Sequence, residues 1–201
     1  MRTITVTGHG TAKVTPDSAV VRVSAVHRAP TLAEALAGAT SAGAAVTAVA
    51  RAHVDAAKLS SRELNVWPAH DHEGRQSGFE ARHAYAVRCT DLDVAGALVT
   101  ELAEQVGDRL QVEGVTLEVS DTSAAVTAAR EAAYADARAR AEHLAGLADV
   151  ALGDVQTVVE GGSGAAPLVA GSFRAAAKSD VVLQPGEGAL GQSLTVTWAV
   201  L

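Results

Sequence analysis

The chain has few aromatic residues, a single cysteine and no excess of basic charge, and each shortage excludes a class of protein. Aromatic residues make up 3% of the 201 residues, so bulky rings cannot be the main filling of the core. The single Cys89 excludes an internal disulfide framework. Lysine and arginine number 16 against 23 acidic residues, and the net charge of −7 argues against a surface dedicated to nucleic acid.

Long apolar runs are also missing from the sequence. A membrane-spanning helix needs about 18–20 apolar residues, whereas Arg, His, Asp or Gly interrupts the apolar stretches within about ten. The chain begins MRTITVTG, which has strand character and lacks the basic and apolar regions of a signal peptide. We therefore expect no transmembrane segment and a cytoplasmic protein, or a periplasmic or secreted one if the sequence is a trimmed mature form.

Alanine is the abundant residue. The 201 residues are 48% hydrophobic, and 44 of them are alanine, so the helices must pack closely through small side chains. The length fits one ordinary domain, and the hydrophobic content excludes a mainly disordered chain. We expect a single folded domain over residues 1–201.

The order of sequence patterns predicts an α+β fold, with a mostly antiparallel sheet layered with about three helices. Period-two alternation marks the strands, and capping residues followed by apolar positions at helical spacing mark the helices. The expected strands lie at 3–7, 19–26, 64–68, 79–90, 115–119, 155–160 and about 192–201, and the expected helices begin at Thr31, Asp91 and Ser123.

Two glycine-containing segments are predicted to be irregular. Gly8-His9-Gly10 follows a strand and suggests a bend or bulge, because a nucleotide loop would need a third glycine and a following helix. Residues 161–180 begin with Gly-Gly-Ser-Gly and show no periodicity, which predicts a mobile loop.

The residues that could carry chemistry do not form a coherent site. His70, His72 and His83 are the densest histidine group, but a hairpin centred near Gly74 would place His83 opposite about Val66, too far from His70 to share a metal ion. We expect no metal site, no cofactor site and no catalytic residue.

Cys89 and the arginines of the third helix have structural interpretations too. Cys89 alternates with apolar residues on one strand face, which predicts a packed thiol rather than a nucleophile. Arg130, Arg138 and Arg140 could form a basic strip, but acidic residues lie between them and cancel it.

Several short motifs, in this order and over nearly the whole chain, resemble the SIMPL domain family, formerly a domain of unknown function. The motifs are Val6-Thr-Gly8-His-Gly10, Pro16-Asp17, Leu64-x-Val66-x-Pro68, Gly78-Phe79-Glu-Ala81, Ala141-Glu-His-Leu144-Ala145, Leu152-Gly153-x-Val155 and Pro185-Gly186-Glu187. The resemblance implies an α+β domain, ring-like or channel-like oligomers in some relatives, and an association with oxidative-stress defence or the bacterial cell envelope. It implies no established catalytic residues.

These observations together predict a non-enzymatic, oligomer-forming scaffold or interaction protein that assembles with copies of itself. The strands at Thr3–Thr7 and Leu194–Val200 contain no Pro, Lys or Glu, so we expect them to be unprotected sheet edges that pair between subunits. The alternative is a small-molecule or metal-binding activity at a subunit interface, which would need His and acidic residues from different chains. Other protein partners are not indicated by the sequence.

Overall fold

The computed structural model describes residues 2–161 and 181–201, so most of the expected mobile loop at 161–180 lies outside the described residues. In chain order, the elements are β1 (Thr3–Val14), β2 (Ser18–Ala29), α1 (Leu32–His53), β3 (Leu59–His70), β4 (Gln76–Cys89), α2 (Leu92–Val106), β5 (Leu110–Glu118), α3 (Ser123–Leu147), β6 (Leu152–Glu160) and β7 (Gly188–Val200). Three helices with antiparallel strands confirm the α+β prediction, although the described strands form two sheets rather than one.

The chain divides into two compact units. We call the first the terminal unit, because its described residues, 2–16, 119–161 and 186–201, lie toward both ends of the chain. The second, the central unit, comprises the described residues 17–118 and 181–185. Each unit contains one of the two sheets.

In the central unit, two helices cover one face of a four-stranded antiparallel sheet in the order β3-β4-β2-β5. The predicted starts of these two helices are confirmed: Thr31 and Glu34 form a capping box on α1, and Asp91 caps α2. Helix α2 ends at Gly107. The core between helices and sheet is made of small and medium apolar side chains, including Val21, Val23, Val46, Val87, Leu98 and Leu102.

Helix α1 departs from the expectation about apolar runs. Its 22 residues are long and apolar enough, by length and composition alone, to cross a membrane. In the central unit, however, Ala35, Ala39, Val46 and Ala50 on one face of α1 are fully buried. Because these residues belong to the cores of the central unit, α1 acts there as the core helix of a folded protein.

The terminal unit has one helix on a three-stranded antiparallel sheet in the order β1-β7-β6. Helix α3 buries a row of alanines, and this row packs on Leu194, Val196 and Trp198 of β7. The row consists of Ala129, Ala133, Ala137, Ala141 and Ala145. The close packing through small side chains that the alanine content predicts is therefore confirmed.

Gly8 and Gly10 allow this close packing, and the bend predicted there is wrong. Strand β1 runs without interruption from Thr3 to Val14, and both glycines lie under α3. A Cβ atom at Gly8 would lie 2.2 Å from the carbonyl oxygen of Ala133, and one at Gly10 would lie 2.1 Å from that of Ala129. The glycines are needed because the helix backbone rests directly on the strand, not because the chain turns.

Gly10→Ala should therefore destabilise the protein far more than a glycine substitution in open space. The added methyl group meets backbone atoms that cannot move without shifting α3, so we expect the free energy of unfolding to fall by about 3 kcal/mol or more. Gly146→Ala in α3 is the control, because nothing lies within 4 Å of the position of the added Cβ atom. This substitution should raise the free energy of unfolding by up to ~1 kcal/mol. Urea unfolding of both variants provides the measurement, and equal effects would contradict this packing.

Candidate functional site

Strand β6 is the exposed edge of the smaller sheet. Residue Val158 is 51% exposed and Val159 is 55% exposed, and both lie in the part of the strand, from Thr157 to Glu160, that pairs with β7 in a continuous register. Among the described residues, β6 pairs only with β7, so its outer edge has no strand partner. Between Val155 and Val159 the strand has no charged residue and no proline, two of the features by which proteins protect such an edge, although its register with β7 shifts on both sides of Val155.

The backbone of Val158 points toward this open edge. The N–H of Gly161 donates to the carbonyl oxygen of Ser193 on β7 at 2.9 Å, and Val158 lies opposite Val196 in the same register. Because hydrogen-bonded and non-bonded pairs alternate along antiparallel strands, the N–H and C=O of Val158 face away from β7. Among the residues that the structure describes, no strand pairs with these groups.

The other edge of this sheet, β1, is partly covered by α3. The backbone N–H of His9 donates to Asp136 Oδ2 at 2.8 Å, and Arg140 Nη1 donates to the carbonyl oxygen of Thr7 at 3.3 Å. The hydrogen bond from His9, with help from Arg140, lowers the pKa of Asp136, so its carboxylate stays charged and keeps accepting. A strand from outside would have to displace these contacts to pair with β1.

The expectation that Leu194–Val200 forms a free edge is wrong. Strand β7 is the central strand of its sheet, paired with β1 on one side and β6 on the other. Val196 is fully buried beneath α3, so a charge placed there would disrupt the core rather than an interface. The alternation in the sequence identified the strand, but it carries no information about the strand's neighbours.

The edge strands of the larger sheet, β3 and β5, are both irregular, and a different feature interrupts each of them. Strand β3 contains Pro68 and the charged pair Arg62 and Glu63, and its register with β4 shifts twice. Strand β5 has a bulge at Glu113, beside which Val112 is 45% exposed. Strand β6 also has register shifts, on both sides of Val155, but its segment from Thr157 to Val159 pairs continuously with β7 and carries no charge or proline. Because charges, prolines and bulges hinder pairing with another strand, this segment is the edge best suited to it.

The histidine group does not converge. The hairpin between β3 and β4 turns at Asp71, whose Oδ1 accepts from the backbone N–H groups of Glu73 and Arg75, and irregular pairing places His83 opposite Leu64 rather than Val66. His83 therefore lies six residues along β3 from the level of His70, roughly 20 Å at the rise of a strand. Within residues 2–161 and 181–201, no group of three or more His, Cys, Asp or Glu side chains could hold a metal ion.

His83 instead links two hydroxyl groups. Its Nε2 lies 2.5 Å from Ser61 Oγ, and its Nδ1 lies 2.7 Å from the hydroxyl of Tyr85. Burial lowers the pKa of His83 and raises that of Tyr85, so at neutral pH a neutral imidazole donates to one hydroxyl and accepts from the other. The chain of hydrogen bonds ties β3 to β4, and the Tyr85 hydroxyl reaches Gly43 of α1. Sequence inspection missed this cluster because Ser61 and His83 are 22 residues apart.

A second polar cluster joins three strands on the face of the larger sheet opposite the helices. Ser24 Oγ donates to the carboxylate of Glu113, Arg82 Nη2 donates to the same carboxylate oxygen, and Arg82 Nε donates to Ser24 at 3.0 Å. These hydrogen bonds, that of Ser24 first, lower the pKa of Glu113. The carboxylate therefore stays charged at neutral pH and holds β5 and β4 to β2.

Comparison with known proteins identifies the family. Proteins with an α+β fold of two antiparallel sheets, one of which has an open edge strand, form a class with many functions. The fold alone therefore does not specify the function. The sequence profile of the SIMPL family, described as a protein of unknown function (DUF541), matches residues 4–198. This chain belongs to the SIMPL family.

Two relatives carry the same printed name, "26 kDa periplasmic immunogenic protein". One is from Brucella melitensis biotype 1 and the other from Brucella abortus strain S19, and each is 27% identical over 98% of this chain and 84% of its own length. The relatives are thus periplasmic proteins by name, which favours the periplasmic alternative and leaves the expectation of a cytoplasmic protein without support. Neither name describes an enzyme.

Cys89 is a packed core residue, as its alternation predicts. Its side chain is fully buried, and burial raises the pKa of the thiol to about 11, so roughly one thiol in ten thousand is ionised at pH 7.

Native protein should therefore react with a thiol reagent orders of magnitude more slowly than the same protein in guanidinium. A Cys89→Ala, Thr90→Cys double variant, with the thiol at an exposed neighbouring position, should label rapidly. Complete labelling of the native Cys89 within minutes at pH 7 would show that the thiol is accessible.

Proposed function

We propose that the protein is a non-enzymatic scaffold or interaction protein of the periplasm that assembles with itself, with β6 as the pairing strand. The observation that carries the proposal is the open edge of β6, where the backbone of Val158 faces outward and its neighbouring valines are exposed. A link to stress defence or to the cell envelope belongs to the same proposal.

Pairing of β6 with β6 of a second copy would give the outward backbone groups of both strands hydrogen-bond partners. A two-fold axis between the two β6 strands would bring the same residues of each copy together and would join two three-stranded sheets into one of six strands. Main-chain hydrogen bonds would supply the binding contacts, and burial of Val158 and Val159 would add about 25 cal/mol for each Å² of apolar surface removed from water. A ring, as the resemblance implies for some relatives, would need a second contact between copies.

The contacts at the other edge favour the same strand. On β1, Asp136 and Arg140 already contact the outward backbone groups of His9 and Thr7. On β6, the ion pair between Arg130 and Glu160 lies only at the strand's end and leaves the segment from Val155 to Val159 uncovered.

The mass in solution tests the proposal. Light scattering at micromolar concentration should give at least twice the 20.3 kDa of one chain. Val158→Pro should reduce the mass to that of one chain, because proline removes an outward N–H while the bonds to β7 remain. Val159→Lys should do the same by placing a charge on the edge, whereas Val112→Lys, an equally exposed valine on β5, should leave the mass unchanged.

Circular dichroism and thermal unfolding would show that each variant is folded. A wild-type monomer over a hundredfold range of concentration would disprove self-assembly. An oligomer that dissociates with Val112→Lys but resists both changes in β6 would place the interface on the larger sheet instead.

A further inference from the structure

The face of the larger sheet opposite the helices carries a shallow cavity with positively charged walls. The cavity has a volume of about 560 Å³, within the range of sites for small ligands. Its cationic side chains come from three separate strands and a turn of the central unit: Arg22, Lys58, Arg62 and Arg88. We call this cavity the arginine trough.

Small residues in the middle of the sheet form the floor of the trough. Ala86 on β4 pairs with Arg22 on β2 and with the small Ser60 on β3, so short side chains lie beside the long side chain of Arg22. Val20 completes the floor. Long side chains around short ones leave an open depression whose rim is made of guanidinium and ammonium groups.

The charge of the trough is not balanced by its own residues. Four cationic side chains line it against one carboxylate, Glu118, an excess of three positive charges in a protein whose net charge is −7. Glu118 Oε2 lies 4.0 Å from Arg88 Nη2. Arg22 Nη1 donates to the hydroxyl of Thr116 at 2.7 Å, and the other N–H groups of Arg22 take no part in that bond.

Most of the other arginines have closer acidic partners. In the terminal unit, Arg130, Arg138 and Arg140 each form an ion pair at 2.7–3.0 Å, which confirms that the third helix carries no net basic strip. On the same sheet face as the trough, Arg28 pairs with Glu80. Among the described residues, the trough therefore stands out as clustered positive charge with a single carboxylate in its lining, although Arg22 and Arg62 also line a neighbouring cavity that contains Glu63 and Glu113.

From this geometry, we infer that the arginine trough binds a compact anion with more than one phosphate group. Guanidinium groups bind phosphate oxygens through two parallel hydrogen bonds, and lysine adds a point charge. Four cations around one depression match several phosphate oxygens better than a single monovalent anion. The phosphate groups could belong to a soluble polyphosphate or to the headgroups of an anionic lipid surface, and both would meet the same side chains.

Isothermal titration calorimetry with inorganic tripolyphosphate at low salt tests this site in the full-length protein. Binding should weaken about tenfold in Arg62→Gln and in Arg22→Gln, because each loses a charged contact, and it should fall steeply as salt is added. Arg28→Gln is the matched control: it removes an exposed arginine from the same sheet face outside the trough, and it should change the affinity less than twofold. The side chains of Arg22 and Arg62 are exposed, so the variants should fold as the wild type does, which thermal unfolding would show.

Sedimentation with vesicles distinguishes the two sources of phosphate. Binding to phosphatidylglycerol vesicles, but not to phosphatidylcholine vesicles, with the same loss in Arg62→Gln would identify a lipid headgroup. Tripolyphosphate binding without vesicle binding would identify a soluble anion.

The inference is wrong if tripolyphosphate does not bind at low salt, or if Arg28→Gln and Arg62→Gln weaken tripolyphosphate binding equally.

Discussion

The contact between α3 and β1 determines how the terminal unit is built. Gly8 and Gly10 have no side chains, and the buried face of α3 is a single row of alanines, so helix and strand backbones approach closely. A row of such small side chains is narrow, and it covers β1 and β7 while β6 extends beyond the helix. The same contact brings Asp136 and Arg140 to the outer edge of β1. One edge is thereby covered and the other left open.

The two units use their arginines differently. On α3 they form ion pairs at the surface, a kind of contact that contributes little to stability. On the open face of the larger sheet, Arg82 is part of a bonded cluster with Ser24 and Glu113, whereas the residues of the arginine trough keep donors free for a ligand. Arg82 helps to hold the strands of the sheet together, and the arginines of the trough are the basis of the inferred anion site.

Local features of the fold could be predicted from the sequence, and its pairings could not. Thr31 with Glu34 and the alanine spacing of α3 are determined by neighbours a few residues away, so their patterns identify a helix start and a buried face. The neighbours of β7 and the register of His83 depend on tertiary packing and on bulges, which leave no periodic signal. The trough was missed because its residues are spread over three strands, although Arg22 had one signal: it is a charged residue flanked by valines in β2.

Hydrogen exchange at the backbone of β6 tests the central claim that this edge pairs with a second copy. In dilute protein the outward amide of Val158 should exchange rapidly, and at high concentration it should become protected as strands pair. The amide of Val112 on β5 should exchange at the same rate at both concentrations. Exchange at Val158 that does not depend on concentration, in samples whose mass shows an oligomer, would contradict the account.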